Sequence, residues 1–290
     1  FLQRRSELWK TEQQSLNYSA CSKELTLLKQ ELSWLKEVDK FALQNALRDQ
    51  DSAYQQFFLG IKKGKKTGYP RYKTRKSKQS YRSNYTNGNI TLEGNSLKLP
   101  KLGWVKYRQS QEIKGKVIAV TLKESGSGKV MAAVLCETME TEWKKTGNAL
   151  GLDWGLKNYL TTSRGDTVIN PRHWKKHAQK LRKAHKELSA KVKGSSNREK
   201  ARAKLSGQYE TLVNVRRDWL HKLSTQLLKE NDLLCLESIQ VKNLVKNRKL
   251  SKHILDGSWG TFVEMLEYKA ERYGKEVVKV SPFFPSSQRC

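Results

Sequence analysis

The stretch ALGLDWGLKNYLTT, residues 149–162, decides the fold of this chain. An apolar run precedes Asp153, and Gly155 separates that run from a second run of strand-forming residues. Far along the chain LLCLE, residues 233–237, repeats the pattern of an apolar strand that ends in a carboxylate, here Glu237. An acid directly after a buried strand is costly unless it is paired, ligates a metal or lies at the solvent edge. Further short strands are predicted near residues 168–169 and 277–280.

Asp153 and Glu237 are therefore the candidate catalytic residues. Hydrolysis of a phosphodiester by two metal ions needs carboxylates that converge from different elements, and Mg²⁺ prefers oxygen ligands. The alternative is that each acid simply ends a strand at the surface. Spacing alone does not decide between these interpretations.

The composition points to a polyanionic partner. The 290 residues carry 57 Lys and Arg against 28 Asp and Glu, a net charge of +29 with a pI near 10.0. This balance excludes the surface of an ordinary metabolic enzyme, and 37% apolar residues exclude a purely disordered basic tail. Nucleic acid is the favoured partner, with an anionic membrane surface as the alternative. The four cysteines are far apart, which indicates a reducing compartment.

Much of the charge lies in two segments. Residues 61–78 hold nine Lys and Arg and no acid, and residues 171–222 hold 16 against four acids, a net of +12. The first segment is either a solvated linker or a phosphate-contacting connector whose tyrosines stack on bases. The second is predicted as a helical hairpin broken near Gly194. The candidate nucleic-acid contacts are Lys62, Lys63, Lys65, Lys66, Tyr69, Arg71, Tyr72, Lys73, Arg75 and Lys76 in the first, and Lys175, Lys176, Arg182, Lys183, Arg216 and Arg217 in the second.

The rest of the chain divides by pattern. Residues 1–60 have helical spacing of apolar residues and predict a small helical bundle. Residues 80–140 contain short β-prone runs between turn signals, which suggests an antiparallel barrel or sandwich. An amphipathic helix is predicted through residues 262–273, with Gly274 at its end.

Four further acids are Asp166, Asp218, Asp232 and Asp256. None is assigned a catalytic role, and Asp256 is predicted to lie in a turn or to cap the helix that follows it. His173 and His177 have the spacing of metal ligands on a helix, but phosphate contact or surface exposure is the favoured interpretation.

Several motifs in order resemble one family. GLDWGLKN, residues 151–158, resembles the first RuvC-like motif of the TnpB (OrfB) proteins of bacterial insertion sequences, and CLESI, residues 235–239, lies where that family has its second. Residues 259–274 resemble the helix after that motif, and FPSSQRC, residues 284–290, resembles the run into a zinc ribbon. LKLPKLGWVK, residues 97–106, and VDKFALQN, residues 38–45, also resemble family segments.

This resemblance implies an RNA-guided DNA endonuclease related to type V CRISPR effectors, with a multidomain α+β fold. It implies a helical recognition lobe at residues 1–67, a partial wedge-like antiparallel β-barrel at 68–146, and an RNase H-like, RuvC-type nuclease domain at 147–290 with a basic helical insertion. Asp153 and Glu237 would hold two Mg²⁺ ions, and Cys290 would be the first ligand of a zinc ion. The implied partners are a guide RNA and target double-stranded DNA with a short adjacent motif, without a membrane, in the bacterial cytoplasm at the nucleoid.

The family pattern also extends past the sequence given. Its third catalytic Asp and three further zinc ligands lie beyond the position of Cys290, and a barrel strand precedes that of Phe1, so we expect truncation at both ends. The alternatives are a nuclease-inactive relative that binds guide RNA and DNA, and a transposase or transposase accessory protein that acts in strand transfer.

Overall fold

A computed structural model describes residues 1–74, 77, 79–139 and 142–281. The chain forms two compact units, Phe1–Met139 and Glu140–Cys290. Both contain helices and sheets, so the predicted mixed α+β class is confirmed. None of the helices in the described ranges is long and apolar enough to cross a membrane.

The first unit opens with the predicted helices. They are α1 (Leu2–Glu12), α2 (Tyr18–Glu31), a short 3-10 turn (Ser33–Lys36) and α3 (Lys40–Lys62). The side chain of Asn17 accepts the Ala20 N–H at the start of α2, and Asp39 accepts the Phe41 N–H at the start of α3, so both helices begin at capping residues. Buried Cys21, Leu25 and Leu47 pack these helices together.

Six antiparallel strands follow. They are β1 (Ser80–Asn84), β2 (Thr91–Glu93), β3 (Ser96–Leu99), β4 (Gly103–Lys106), β5 (Lys116–Glu124) and β6 (Val130–Glu137). They form two sheets, in the orders β1-β5-β6 and β2-β3-β4. Leu97 and Leu99 of one sheet and Val120 of the other share one core, as in a sandwich.

The predicted barrel is not closed within the described part of the chain. The strands of the second sheet are only three or four residues long. Their tight connections let them pair with each other and leave too little length to bridge to the longer β5 and β6. Strand β4 was not predicted from the sequence, because its residues Gly-Trp-Val-Lys do not alternate between apolar and polar; all four are exposed.

The second unit is built on one five-stranded sheet. Its strands are β7 (Ala149–Trp154), β8 (Asn158–Thr162), β9 (Thr167–Ile169), β10 (Leu233–Glu237) and β11 (Glu276–Val280), in the order β11-β10-β7-β8-β9. Strand β10 is parallel to both β7 and β11, whereas β8 is antiparallel to β7 and β9. All five strands were predicted from the sequence. Their pairing places β10 directly beside β7.

Helices complete this unit, and all but the first, which packs on the second, contribute side chains to the core on the sheet. They are α4 (His173–Ser189), α5 (Ser196–Glu230), α6 (Val241–Leu244), α7 (Ser251–Gly257) and α8 (Trp259–Tyr273). Leu234 and Leu236 of β10 and Phe262 and Leu266 of α8 are almost fully buried in one core. Each such side chain contributes about 1.5–3 kcal/mol by burial. This core holds one face of the sheet against the helices and leaves its strand ends free to carry a site.

The predicted helical hairpin is confirmed. Helices α4 and α5 flank a turn at Gly194, which has a φ of 85°, a conformation that favours glycine. Leu181 of α4 packs with Leu205 and Leu212 of α5.

Candidate active site and nucleic-acid interface

Asp153 and Glu237 lie side by side at the carboxyl ends of two strands. Strands β7 and β10 are parallel, and Leu152 of one pairs with Leu236 of the other. The two acids are the next residue on each strand. Neighbouring strands lie about 4.8 Å apart, so this register brings the two carboxylates to the same edge of the sheet.

The alternation of side chains explains why both acids are exposed. Leu152 and Trp154 of β7 and Leu236 of β10 point into the helix-covered core and are buried. Because successive residues of a strand point to opposite faces, Asp153 and Glu237 project from the other face and are exposed. The sequence thus places two like charges together where water or a cation can offset their repulsion.

The oxygens of this pair suit a hard divalent cation. Within the described residues, neither Asp153 nor Glu237 forms a salt bridge. Their carboxylates therefore remain available as oxygen ligands, which Mg²⁺ prefers. No group of three potential metal ligands occurs among the described residues.

Asp232 lies just before the start of β10 and is held there by an ion pair and by backbone hydrogen bonds. Its carboxylate pairs with the buried Lys275 ammonium and accepts the N–H groups of Thr146 and Gly147 at 2.7 and 2.6 Å. The hydrogen bond from Lys275, followed by those from the two backbone groups, lowers the pKa of Asp232 to about 2. This acid is ionised and bound, and it fixes the start of the strand that carries Glu237.

Asp256 caps a helix distant in sequence. It does not cap the helix that follows it, as the sequence suggested, because α8 begins without a side-chain cap. Its two carboxylate oxygens instead accept the Trp174 N–H at 3.1 and 3.0 Å, in the first turn of α4. The same carboxylate forms an ion pair with Arg216 at 2.7 Å. Sequence reasoning missed this cluster because nothing local links residues 174, 216 and 256.

The two histidines of α4 differ. His173 is buried, and its ring packs edge-on against Trp219. Desolvation by burial lowers the pKa of His173, so the neutral imidazole is favoured. The favoured interpretation of phosphate contact or surface exposure is therefore wrong for His173, whereas His177 is partly exposed.

The first basic segment is largely exposed. All the described residues of this segment that were predicted to contact nucleic acid are exposed: Lys62, Lys63, Lys65, Lys66, Tyr69, Arg71, Tyr72 and Lys73. Tyr69 is also part of the helical bundle, because its hydroxyl is 2.8 Å from those of Ser6 and Tyr54. Tyr72 is 63% exposed and is the freer ring for stacking. Arg75 and Lys76 lie outside the described residues, as does the proposed zinc ligand Cys290.

The second basic segment is the α4–α5 hairpin. Five of its six proposed contacts are exposed on the helices: Lys175, Lys176, Arg182, Lys183 and Arg217. Arg216 is different, because its side chain is only 18% exposed and is held by Asp256. Its guanidinium braces the hairpin, and any nucleic-acid contact by Arg216 stays a prediction.

The sequence matches two family models. Residues 131–248 match the model OrfB_IS605, described as "Probable transposase", and residues 259–290 match the model "Cas12f1-like, TNB domain". A curated protein of Streptomyces pristinaespiralis, named "Putative RNA-guided DNA endonuclease", is 36% identical over all of this chain, which covers 72% of that protein. The chain belongs to the TnpB (OrfB) family.

A second curated relative agrees with membership of the TnpB family, and one solved structure also aligns with the chain. "Putative RNA-guided DNA endonuclease InsQ" of Escherichia coli K12 is 32% identical over 90% of this chain and 67% of that protein. A solved structure described as a Cas12f1–sgRNA–target DNA complex aligns with a TM-score of 0.47 and 12% identity, covering 83% of this chain and 61% of that one. This TnpB-family chain thus spans between two thirds and three quarters of the length of the two curated relatives.

Proposed function

We propose that this TnpB-family protein is an RNA-guided DNA endonuclease that hydrolyses phosphodiesters of target DNA. The observation that carries the proposal is the pairing of Asp153 and Glu237 at the carboxyl ends of the parallel strands β7 and β10. The names of the curated relatives support the same activity. In the proposed division of labour, base pairing with a guide RNA selects the target, and the protein recognises a short adjacent DNA motif.

The proposed domain roles follow the architecture. A sheet in which the antiparallel β9-β8-β7 is extended by the parallel β10 and β11 suits an RNase H-like, RuvC-type nuclease domain with the α4–α5 hairpin as its insertion. We assign the helices α1–α3 to a recognition lobe and the strands β1–β6 to a wedge-like domain. The site of action would be DNA of the bacterial nucleoid, in the cytoplasm.

Asp153 and Glu237 would hold Mg²⁺ through their carboxylate oxygens. The chemistry that such ions would supply at this pair is activation of water and stabilisation of the leaving oxygen of the phosphodiester. Asp153 is fixed by the strand pairing of β7 on both sides, which sets the direction of its side chain. Glu237 is fixed by β10, whose start is held by the Asp232–Lys275 pair. Cys290 would be the first ligand of a separate zinc ion.

The basic surfaces would hold the nucleic acids. Exposed lysines and arginines of residues 61–74 and of the α4–α5 hairpin neutralise phosphates without reading sequence. Guide RNA and the target heteroduplex are the polyanions that this charge fits.

The test is the substitution Asp153→Ala in the full-length protein. The variant loses one of the two proposed metal ligands, so we expect target cleavage with guide RNA and Mg²⁺ to fall by at least about 10³-fold while guide RNA binding is unchanged. Cleavage is followed on labelled target DNA, and RNA binding by filter retention. Asp166→Ala is a matched control, since Asp166 lies in the turn between β8 and β9 of the same sheet.

Each result separates the alternatives. Undiminished cleavage by the Asp153→Ala protein would refute the assignment of this site. A wild-type protein that copurifies with RNA and binds target DNA without cutting it would favour the nuclease-inactive alternative. Products in which the cut end is joined to a second DNA would instead identify strand transfer.

A further inference from the structure

A pocket adjoins the proposed active site within the second unit. It has a volume of about 590 Å³ and lies at the carboxyl ends of β7 and β10. Its walls include Trp154, Leu156 and Glu237 on the sheet side and Leu244, Leu250 and Ile254 from α6, α7 and their connection. Glu237 therefore belongs both to the carboxylate pair and to the rim of the pocket.

The pocket is apolar but contains unused polar groups. Trp154 lines the pocket but is only 8% exposed, so it contributes apolar ring surface and its buried Nε1 is closed to a ligand. Asn243 donates from Nδ2 to Oε1 of Gln240 at 2.7 Å. That bond leaves the Asn243 carbonyl oxygen and the Gln240 amide hydrogens available to a ligand.

The rim exposes large apolar side chains. Leu244 and Leu250 are each 41% exposed, beside the buried Ile254 and Trp154. Exposed leucines around an apolar cavity favour a flat, largely apolar ligand that removes their surface from water. Amide groups at the edge of such a cavity suit a ligand with donors and acceptors along its own edge. A nucleobase has both properties, since it combines two apolar faces with a polar edge.

We infer that this pocket receives an unstacked nucleobase of the DNA strand to be cut, from the nucleotide beside the scissile phosphate. Glu237 sets that position, because a phosphate positioned by Mg²⁺ that the carboxylate pair would hold brings the adjoining base to the pocket rim. Leu244 and Leu250 contact the faces of the base, and Gln240 and Asn243 bind its edge. The inference rests on the proposed function and adds a positioning contact that orients the strand before hydrolysis.

The experiment is an abasic scan of the cut strand. The protein with its guide RNA cleaves targets that each lack one base near the cut, and kcat/KM is measured for each. We expect one position, beside the scissile phosphate, at which loss of the base lowers kcat/KM by about tenfold. In the Leu244→Trp protein the larger side chain fills the pocket, so intact and abasic targets are expected to be cut at equal rates.

Leu255→Trp is the matched control. Leu255 is 59% exposed on α7, close in sequence to Ile254, and does not line the pocket. This protein is expected to keep the penalty at the single position. Thermal unfolding of both variants checks that they fold. A second readout uses only the wild-type protein. A target with 5-iodouracil at that position is irradiated, and a photo-crosslink to Trp154 is expected.

The results distinguish this inference from the proposed function. If wild type cuts and Asp153→Ala does not, but no abasic position is penalised and no crosslink forms, the pocket inference fails and the nuclease remains. A penalty that persists unchanged in the Leu244→Trp protein also overturns the inference. If wild type cuts no target, the proposed function fails and the inference fails with it.

Discussion

Lys269 is a buried ammonium group without a carboxylate partner among the described residues. It lies on α8 with 6% of its surface exposed. Its Nζ donates hydrogen bonds of 2.8 Å to the carbonyl oxygen of His221 and the hydroxyls of Ser224 and Thr225, all on α5. Desolvation lowers the pKa of Lys269 to about 8. Keeping this buried group charged at neutral pH therefore lowers the stability of the folded protein.

This burial predicts a pH-dependent stability. Above about pH 8 the folded protein releases the proton of Lys269, while the unfolded chain keeps it until about pH 10.4. The unfolded state then binds more protons, so the free energy of unfolding rises with pH across this window. The Lys269→Met protein should lack that rise and should be equally or more stable at neutral pH, by up to about 1 kcal/mol.

Urea unfolding at neutral pH and at about pH 9.5 measures the effect. Lys200→Met is the control, because Lys200 is exposed on α5. An equal rise in stability in the wild-type and Lys269→Met proteins would show that another group causes it.

At the scale of elements, Asp256 joins three helices. It lies on α7, accepts the Trp174 N–H at the start of α4 and pairs with Arg216 of α5. Residue Arg172, which precedes α4, provides no side-chain cap. Asp256 therefore performs the capping and fixes the basic hairpin to the rest of the second unit.

Removing the Asp256 carboxylate should lower the stability of the second unit. Asp256→Ala leaves Arg216 buried without its partner and removes the cap, so we expect the free energy of unfolding to fall by about 3 kcal/mol. Asp218→Ala removes the partner of Lys222 in an exposed pair and should cost no more than about 0.5 kcal/mol. Denaturant titration of both variants provides the comparison, and similar losses would contradict the bracing role of Asp256.

At the scale of the whole molecule, the excess charge is localised. Residues 61–78 contribute nine and residues 171–222 contribute twelve of the 29 net positive charges. The structure exposes most of these side chains, and it removes Arg216 from the available set. The molecule thus presents its charge on a connector in one unit and on a helical hairpin in the other.

Neutralising one surface should change the salt dependence of binding. With Lys62, Lys63, Lys65 and Lys66 replaced by Gln, we expect the slope of log K for guide RNA against log salt to flatten by about three. Four exposed lysines elsewhere in the same unit, Lys10, Lys23, Lys36 and Lys129, give a matched control with the same charge change. Binding is measured by fluorescence anisotropy over a salt series, and equal flattening in both proteins would argue against a specific connector surface.

The sequence by itself determined most of the elements. Alternation and apolar runs identified β7 and β10, and helical periodicity identified the α4–α5 hairpin and α8, because these signals come from neighbouring residues. The same runs singled out Asp153 and Glu237, since an acid at the end of a buried strand stands out locally. The sequence also contained the motifs from which the family was predicted, and the comparisons confirm that family.

Only the tertiary structure decided what these elements do together. The parallel pairing of β10 with β7 joins residues separated by the whole basic hairpin, and it alone makes Asp153 and Glu237 neighbours. Burial of Arg216 and Lys269, and the capping of α4 by Asp256, likewise depend on contacts between distant segments. A residue's type sets which charge it can carry, whereas its solvation, its partners and therefore its pKa are set by the chain folded around it.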